Sequence, residues 1–191
     1  MAEAGRVIAG TARGIRLAAP GPATRPLSDR VKQTLFAILA PDLPGARFLD
    51  LFAGAGAAGI EALSRGASAA TFVERDHVAV QVIRTNLDRT ALAGPVARVV
   101  QADVVDFLRR TRPDDDAYDL VVVDPPYAET ELLRRVLEML PACLEPGARV
   151  VAKHFWRDPP PARIGLLASE RERRFGDTML TFYRTDPGQE A

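Results

Sequence analysis

Apolar residues recur along the chain in two rhythms, and the alternation of these rhythms predicts an α/β fold. Five short apolar runs follow one another from Arg47 onward, separated by stretches with helical spacing or by turns. They are Phe48–Phe52, Ala70–Glu74, Val96–Gln101, Tyr118–Asp124 and Ala148–Ala152. Runs that alternate with helices are typical of βαβ units, and therefore of a mostly parallel sheet with helices on both faces. Tyr118–Asp124 contains three consecutive valines, which indicates a central strand buried on both sides.

Helical spacing predicts four helices between these runs. The first follows a Gly-rich turn and ends at about Arg65, and the others cover Val78–Leu92, Val104–Arg110 and Glu129–Leu140. After Lys153 the helical rhythm stops. Segments 164–174 and 178–184 flank Phe175-Gly176-Asp177, which predicts a C-terminal antiparallel hairpin.

The first 45 residues have a different pattern and predict an N-terminal extension. Residues 6–10 and 14–18 read as two short strands, a Pro-rich loop follows, and Ser28 is a suitable N-cap for a helix through Leu39. We therefore divide the chain into the extension (1–45), a main α/β domain (46–185) and a disordered tail (186–191). The main domain is long enough to bury a sizeable core.

Composition narrows the class of protein. The chain has 191 residues, of which 47% are hydrophobic and 26% are charged, the usual balance of a globular protein. A single cysteine, Cys143, rules out an internal disulfide. Neither a signal peptide nor an apolar stretch of membrane-spanning length is present, so we expect no membrane partner and a cytoplasmic location.

The formal net charge of zero conceals a polarised distribution. Residues 1–39 carry six bases and two acids, and residues 153–184 carry seven bases and four acids, whereas residues 40–152 carry twelve bases and seventeen acids. A local basic patch is therefore available for nucleic acid although the total is neutral.

The turn after the first main-domain strand carries glycines at 54, 56 and 59, a G-x-G-x-x-G pattern between a strand and a helix. Such glycines allow close backbone approach to a ligand. Asp50 lies four residues before Gly54, where its charge would repel a pyrophosphate but would suit the amino group of a cationic ligand. The pattern alone is a weak signal.

Two further acids sharpen this interpretation. Glu74 closes the second strand, about 20 residues after the glycines, where an acid receives ribose hydroxyls. Asp103 closes the third strand, where it can accept from an exocyclic amine or merely cap the next helix. A ribose, an adenine and an amino group near a sulfonium together describe S-adenosylmethionine. The predicted cofactor site consists of Asp50, Phe52, Gly54, Gly56, Gly59, Glu74, Asp103 and Val104.

The fourth apolar run ends in Asp124-Pro125-Pro126-Tyr127, the candidate catalytic motif. Two prolines fix the backbone and remove two N–H donors, so carbonyl oxygens remain beside the Asp124 carboxylate. Two acceptors can hold both N–H groups of an exocyclic amine and turn its lone pair toward an electrophile. Tyr127 offers a face on which an unpaired or flipped base can stack. A rigid structural turn is the other explanation for the motif.

Three stretches, Thr24–Phe36, Asp50–Ala67 and Val123–Tyr127, resemble the RsmD family of bacterial 16S rRNA guanine-N2 methyltransferases. The resemblance implies a class I S-adenosylmethionine-dependent methyltransferase fold with an N-terminal β-hairpin extension. It implies 16S rRNA in the small ribosomal subunit, or an assembly intermediate, as the partner, and guanine 966 in the family's usual RNA numbering as the target. It also places Arg25, Arg30 and Lys32 on RNA phosphates, although a solvated helix face would explain these bases equally well.

Other functions remain open at this point. The same chemistry could act on N6 of adenine in DNA or on another RNA, although 191 residues leave little room for a separate target-recognition domain. Asp50 and the Asp-Pro-Pro-Tyr motif argue against a Rossmann oxidoreductase, and the intact motif argues against a non-catalytic RNA-binding module. No metal site is expected, because His77 and His154 lack partners at ligand spacing.

Overall fold

The computed structural model describes residues 3–21, 27–111, 117–126 and 128–185. Its strands are β1 (Glu3–Arg6), β2 (Arg16–Ala18), β3 (Arg47–Leu51), β4 (Ala69–Glu74), β5 (Ala97–Gln101), β6 (Tyr118–Val123), β7 (Leu144–Phe155), β8 (Arg163–Ile164), β9 (Leu167–Phe175) and β10 (Thr178–Thr185). Its helices are α1 (Asp29–Leu39), α2 (Ala57–Ser64), α3 (His77–Arg89), α4 (Val104–Arg110) and α5 (Thr130–Met139). Short 3-10 turns at Ala40–Asp42 and Leu140–Cys143 follow α1 and α5.

The main sheet has the order β5-β4-β3-β6-β7-β10-β9-β8 in the described part of the chain. The five strands β5, β4, β3, β6 and β7 run parallel to one another. Strand β10 pairs antiparallel with β7, and β9 and β8 follow it, each antiparallel to its neighbour. The order reverses between β3 and β6, so a crevice opens there at the carboxyl ends of the strands. The expected mostly parallel α/β sheet with a C-terminal antiparallel hairpin is confirmed.

Two apolar layers cover the two faces of the sheet. Helices α1, α2 and α3 pack on one face, and α4 and α5 pack on the other. Leu120 and Val122 point into the first layer, while Val121 and Val123 point into the second, since side chains alternate along a strand. This two-sided burial explains the unbroken apolar run of β6.

The N-terminal extension shares the first layer and is fastened to α2 by polar contacts. The buried Glu61 carboxylate accepts the backbone N–H groups of Ile8 at 2.7 Å and Ala9 at 3.0 Å. Ser64 accepts from Ala12 N–H at 3.0 Å through Oγ and donates that hydroxyl to the carbonyl of Ala9. The hairpin of β1 and β2 is thus present, and its connecting loop is held by α2.

Helix α1 begins where the sequence indicates. Ser28 is its N-cap and accepts from the N–H of Val31, and the helix continues to Leu39. The bounds of the first strand differ from the prediction more than those of α1 do. Residues 6–10 read as a strand in the sequence, but β1 ends at Arg6. Residues 8 and 9 use their N–H groups on Glu61 instead of a strand partner.

Candidate active site

The carboxyl ends of the parallel strands border a cavity of about 800 Å³. Among the predicted site residues, those that line it are Asp50, Phe52, Gly54, Glu74, Asp103, Val104, Asp124, Pro125 and Pro126. Pro20, Gly21 and Leu27 of the N-terminal extension line it as well. A single space thus brings together the candidate cofactor residues, the candidate catalytic residues and part of the extension.

The glycine loop begins with an unusual backbone conformation at Phe52. Its φ is 61°, in the left-handed region that non-glycine residues rarely adopt. The loop is closed by Gly56 N–H, which donates to Ala53 C=O at 2.7 Å, and by Gly54 N–H, which donates to the Glu74 carboxylate at 2.9 Å. Such strain persists only where surrounding bonds over-determine the backbone, and it is often found at functional sites.

Gly56 and Gly59 are not among the residues that line the cavity, and each has a structural role in the turn. Their contact with a cofactor stays a prediction. Gly56 has a φ of 76° at the N-cap of α2, a conformation that favours glycine. Gly59 packs against β4: a Cβ atom there would come within 2.3 Å of the Phe72 ring. Both glycines shape the turn and seat α2 on the sheet.

Asp50 is almost completely buried, with 3% of its surface exposed, and its Oδ2 accepts the N–H of Gly59 at 2.9 Å. Burial raises the pKa of Asp50 to about 8; the Gly59 bond opposes this rise, and the charges of Asp124 and Glu74 add to it. A carboxylate so poorly solvated gains much from a cationic ligand in the cavity.

Glu74 and Asp103 each have a structural role beside the expected one. The two Glu74 oxygens accept from Gly54 N–H and from Asp76 N–H, both at 2.9 Å. Asp103 caps α4 through Oδ1, which accepts from Val105 N–H at 2.9 Å. Capping, the alternative left open for Asp103, is therefore present. It is compatible with ligand binding, since each carboxylate oxygen can accept more than one bond.

Asp124 follows β6 directly, and its backbone N–H donates to Leu51 C=O at 3.3 Å. Its side chain is 19% exposed, and its Oδ1 lies 2.6 Å from Nζ of Lys153. Burial raises the pKa of Asp124, and the charge and hydrogen bond of Lys153 oppose that rise. The carbonyl of Pro126 accepts Glu129 N–H at 3.0 Å, just before α5 begins. Tyr127 lies outside the described residues.

Lys153 is a site residue that the sequence reasoning missed. It lines the cavity from β7 and is one of only two lysines in the chain. In the sequence, Lys153 stands out only as the end of the helical rhythm and as one base of residues 153–184. Its position directly after the fifth apolar run was the available signal. Neighbouring parallel strands bring such residues to the same edge of the sheet.

The three proposed RNA contacts fare differently. Arg30 is exposed on α1, as a phosphate contact requires, and Arg25 lies outside the described residues. Lys32 is wrong as an RNA contact, because its side chain is fully buried and its Nζ donates to the backbone carbonyl of Arg6. Burial lowers the pKa of Lys32. This lysine fastens α1 to the N-terminal hairpin.

The described residues contain no group of three His, Cys, Asp or Glu side chains that could hold a metal ion. Over the same part of the chain, no helix combines the length and the apolar character needed to cross a membrane.

Comparison with known proteins places this geometry in a family. Residues 5–184 match the family model described as "Conserved hypothetical protein 95". The "Putative rRNA methyltransferase YlbH" of Bacillus subtilis (strain 168) is 36% identical over 182 residues, which cover 94% of this chain and 98% of that protein. "Ribosomal RNA small subunit methyltransferase D" of Escherichia coli (strain K12) is 43% identical over 136 residues, covering 71% of this chain and 66% of that protein.

Solved structures agree with the sequence relatives. "Putative methyltransferase yhhF from Escherichia coli" superposes with a TM-score of 0.81 and 34% identity, covering 95% of this chain and 97% of that one. A more distant structure, "SMU.776, a putative methyltransferase complexed with SAH", has a TM-score of 0.69 at 15% identity, covering 80% of this chain and 48% of that one, and shares the fold. The match over residues 5–184 and the identity to methyltransferase D confirm the resemblance seen in the sequence: the chain belongs to the Conserved hypothetical protein 95 family, the RsmD family of methyltransferases.

Proposed function

We propose that this protein transfers a methyl group from S-adenosylmethionine to the exocyclic N2 of one guanine in 16S rRNA, within the small ribosomal subunit or its assembly intermediate. The target would be guanine 966 in the family's usual RNA numbering. The observation that carries the proposal is one shared cavity, in which Asp124 faces the space bordered by Asp50, Glu74 and Asp103. The names of the relatives, which describe rRNA methyltransferases, support an rRNA substrate.

The residues around the cavity fit S-adenosylmethionine. A volume of about 800 Å³ is within the range of small-molecule sites. In this proposal Glu74 accepts the ribose hydroxyls, Asp103 accepts the adenine amine and Asp50 binds the amino group, while Phe52 and Val104 provide apolar walls. When bound, S-adenosylmethionine supplies a methyl group on a sulfonium centre, and its sulfur keeps the electron pair of the broken S–C bond.

The residues after β6 orient the target amine. The Asp124 carboxylate and the Pro125 carbonyl accept its two N–H groups, so the nitrogen lone pair is directed toward the methyl carbon and forms the new N–C bond. The methylated amine then loses one proton, and Asp124, which already accepts an N–H, is placed to receive it. Orientation of this kind can supply about 7–11 kcal/mol of a reaction barrier. Tyr127 remains the predicted stacking surface for the base.

The N-terminal extension contributes the RNA contacts in this proposal. Arg25 and Arg30 bind phosphates, since arginine forms bidentate bonds with phosphate oxygens. The extension lies next to the reaction, because Pro20, Gly21 and Leu27 line the same cavity. RNA held by the extension would therefore lie at the entrance of the site.

Tritiated-methyl transfer to small subunits that lack the modification, followed by mass spectrometry of the product nucleoside, tests the proposal. We expect N2-methylguanine from the wild type and no product from Asp124→Ala, with S-adenosylmethionine binding within a few-fold of wild type by calorimetry. Asp119→Ala is the matched control, because Asp119 lies near the start of β6, the strand that Asp124 follows, and its carboxylate accepts the backbone N–H of Arg47. Full activity of Asp124→Ala, or a methyl group on N6 of adenine, would contradict the proposal.

A further inference from the structure

Strand register places Lys153 beside Asp124. In the parallel pair of β6 and β7, Val123 lies opposite Ala152, so the next residues of the two strands meet at the carboxyl edge of the sheet. Nζ of Lys153 lies 2.6 Å from Oδ1 of Asp124, and the two side chains are only 11% and 19% exposed. Because little water screens this pair, the attraction between its two charges is stronger than in an ion pair on the surface.

The pair restricts how the Asp124 carboxylate can turn. An unpaired carboxylate rotates about its Cβ–Cγ bond and exposes either oxygen, whereas the ammonium group of Lys153 retains Oδ1. We propose that Lys153 is a positioning residue for methyl transfer: it binds Oδ1 of Asp124 and thereby fixes the carboxylate so that Oδ2 accepts an N–H of the target amine. This inference rests on the proposed function, from which it takes the identity of the amine.

The charges around Asp124 give Lys153 a second effect. The charged residues that line the same cavity are Asp50 on β3, Glu74, Arg75 and Asp76 at the end of β4, Asp103 before α4, Glu129 before α5 and Lys153 on β7. Most of them are acidic. Lys153 is the partner whose charge lowers the pKa of Asp124 against the effect of burial. Without Lys153 the pKa of Asp124 rises further.

Two substitutions in the full chain test the proposal. Lys153→Met keeps the length of the side chain and removes the charge, whereas Lys153→Arg keeps the charge. On small subunits lacking the modification, we expect Lys153→Met to lower kcat by roughly 10- to 100-fold, the order of loss that misplacement of a reacting group causes. We expect KM for S-adenosylmethionine to change by less than about threefold. In Lys153→Met the acid limb of the kcat–pH profile should move to higher pH. In Lys153→Arg both kcat and the position of that limb should stay close to those of the wild type.

Arg149→Met is the matched control for lost stability. Arg149 lies in the same strand, its side chain is 14% exposed, and it pairs with Asp42 at 2.7 Å and Glu170 at 2.9 Å at the other end of β7. If Arg149→Met lowered kcat as much as Lys153→Met, or if Lys153→Met left the acid limb in place, the positioning role would be overturned.

A measurement without substrate separates this inference from the proposed function. Carbon-13 NMR titration of the Asp124 carboxyl in the full chain should show its pKa higher in Lys153→Met than in wild type. An unchanged titration would overturn the inference. If the wild type methylated a different amine, the proposed target would fail, and the comparison of variants on that amine would still test Lys153.

Discussion

The side-chain amide of Asn86 donates to the carbonyl oxygen of Ala55 at 3.0 Å, which joins α3 to the glycine loop of the cavity. The same side chain also accepts from Ala18 N–H at 2.8 Å and donates to Ala18 C=O at 3.0 Å. Asn86 is fully buried. One side chain therefore connects the N-terminal extension, α3 and the proposed cofactor loop.

Asn86→Ala should weaken both the fold and cofactor binding. Each backbone group left buried without a partner costs about 1–3 kcal/mol, so the free energy of unfolding in urea should fall by at least that amount. The freed Ala55 carbonyl should loosen the glycine loop and weaken S-adenosylmethionine binding, measured by calorimetry. Thr85→Ala is the control, because Thr85 is exposed on the same helix and its hydroxyl donates to the Gln81 carbonyl of that helix. Equal cofactor affinity in both variants would show that the loop does not depend on Asn86.

Gly59→Ala should destabilise the protein, although alanine is ordinarily the better helix former. The added Cβ would come within 2.3 Å of the buried Phe72 ring, so the ring or the helix must shift, at a cost of about 1–3 kcal/mol. Phe72→Leu alone leaves a cavity and lowers the free energy of unfolding. The double variant with Gly59→Ala should lose less unfolding free energy than the two single variants lose together. Thermal and urea unfolding of the single and double variants measure this coupling, and strict additivity would exclude the clash.

Asp50 should make the ligand-free protein lose stability as pH rises. Its pKa is about 8 when folded and near 4 when unfolded, so between these values the folded state holds one more proton than the unfolded state. This contribution is fully present below about pH 4 and is lost as pH rises to about 8, at up to about 1.4 kcal/mol per unit. Asp50→Asn removes it. The stability of Asp50→Asn relative to wild type should therefore increase from pH 5 to 8 and then level off, whereas a constant difference would contradict the raised pKa.

Arg30→Ala should weaken RNA binding in a salt-dependent way. Loss of one phosphate contact should reduce the slope of log K against log salt by about 0.7–0.9. Filter binding to a fragment of 16S rRNA at several salt concentrations measures the slope. Arg109→Ala is the control, because Arg109 lies on α4, on the opposite face of the sheet, and pairs with Asp106. The same slope for wild type and Arg30→Ala would remove Arg30 from the RNA surface.

Local patterns predicted most of the secondary structure. Val104–Arg110 forms α4 with the predicted bounds, and the strand–turn–strand pattern around Gly176 forms β9 and β10. β7 is longer than predicted: it extends over Leu144–Phe155, although only Ala148–Ala152 reads as an apolar run. Its extra length comes from pairing with β6 on one side and β10 on the other, as far as Phe155 opposite Thr178. Such pairing depends on distant residues and leaves no local signal.

The carboxylates of the site were predictable because each one lies in an apolar run, at its end or just after it, and the carboxyl ends of parallel strands lie together. Their partners were not. Lys153, the partner of Asp124, lies 29 residues away along the chain. The same holds for the backbone: Asn86 binds Ala18, which is 68 residues away. Lys32 is an example of the opposite kind. Its charge predicted an exposed side chain, but packing against the N-terminal hairpin buries it. A linear pattern identifies which residues reach an edge of the sheet, but not which of them pair.

The buried Glu61 carboxylate links the stability of α2 to the presence of the N-terminal hairpin. If the first 20 residues were removed, Glu61 would lose the N–H groups of Ile8 and Ala9, and Ser64 would lose its bonds to Ala9 and Ala12. A shortened chain would then expose the apolar side of α2 together with polar groups arranged for an absent partner. We therefore expect a minimal catalytic version of this protein to retain the hairpin or to carry a redesigned α2, with apolar residues at positions 61 and 64.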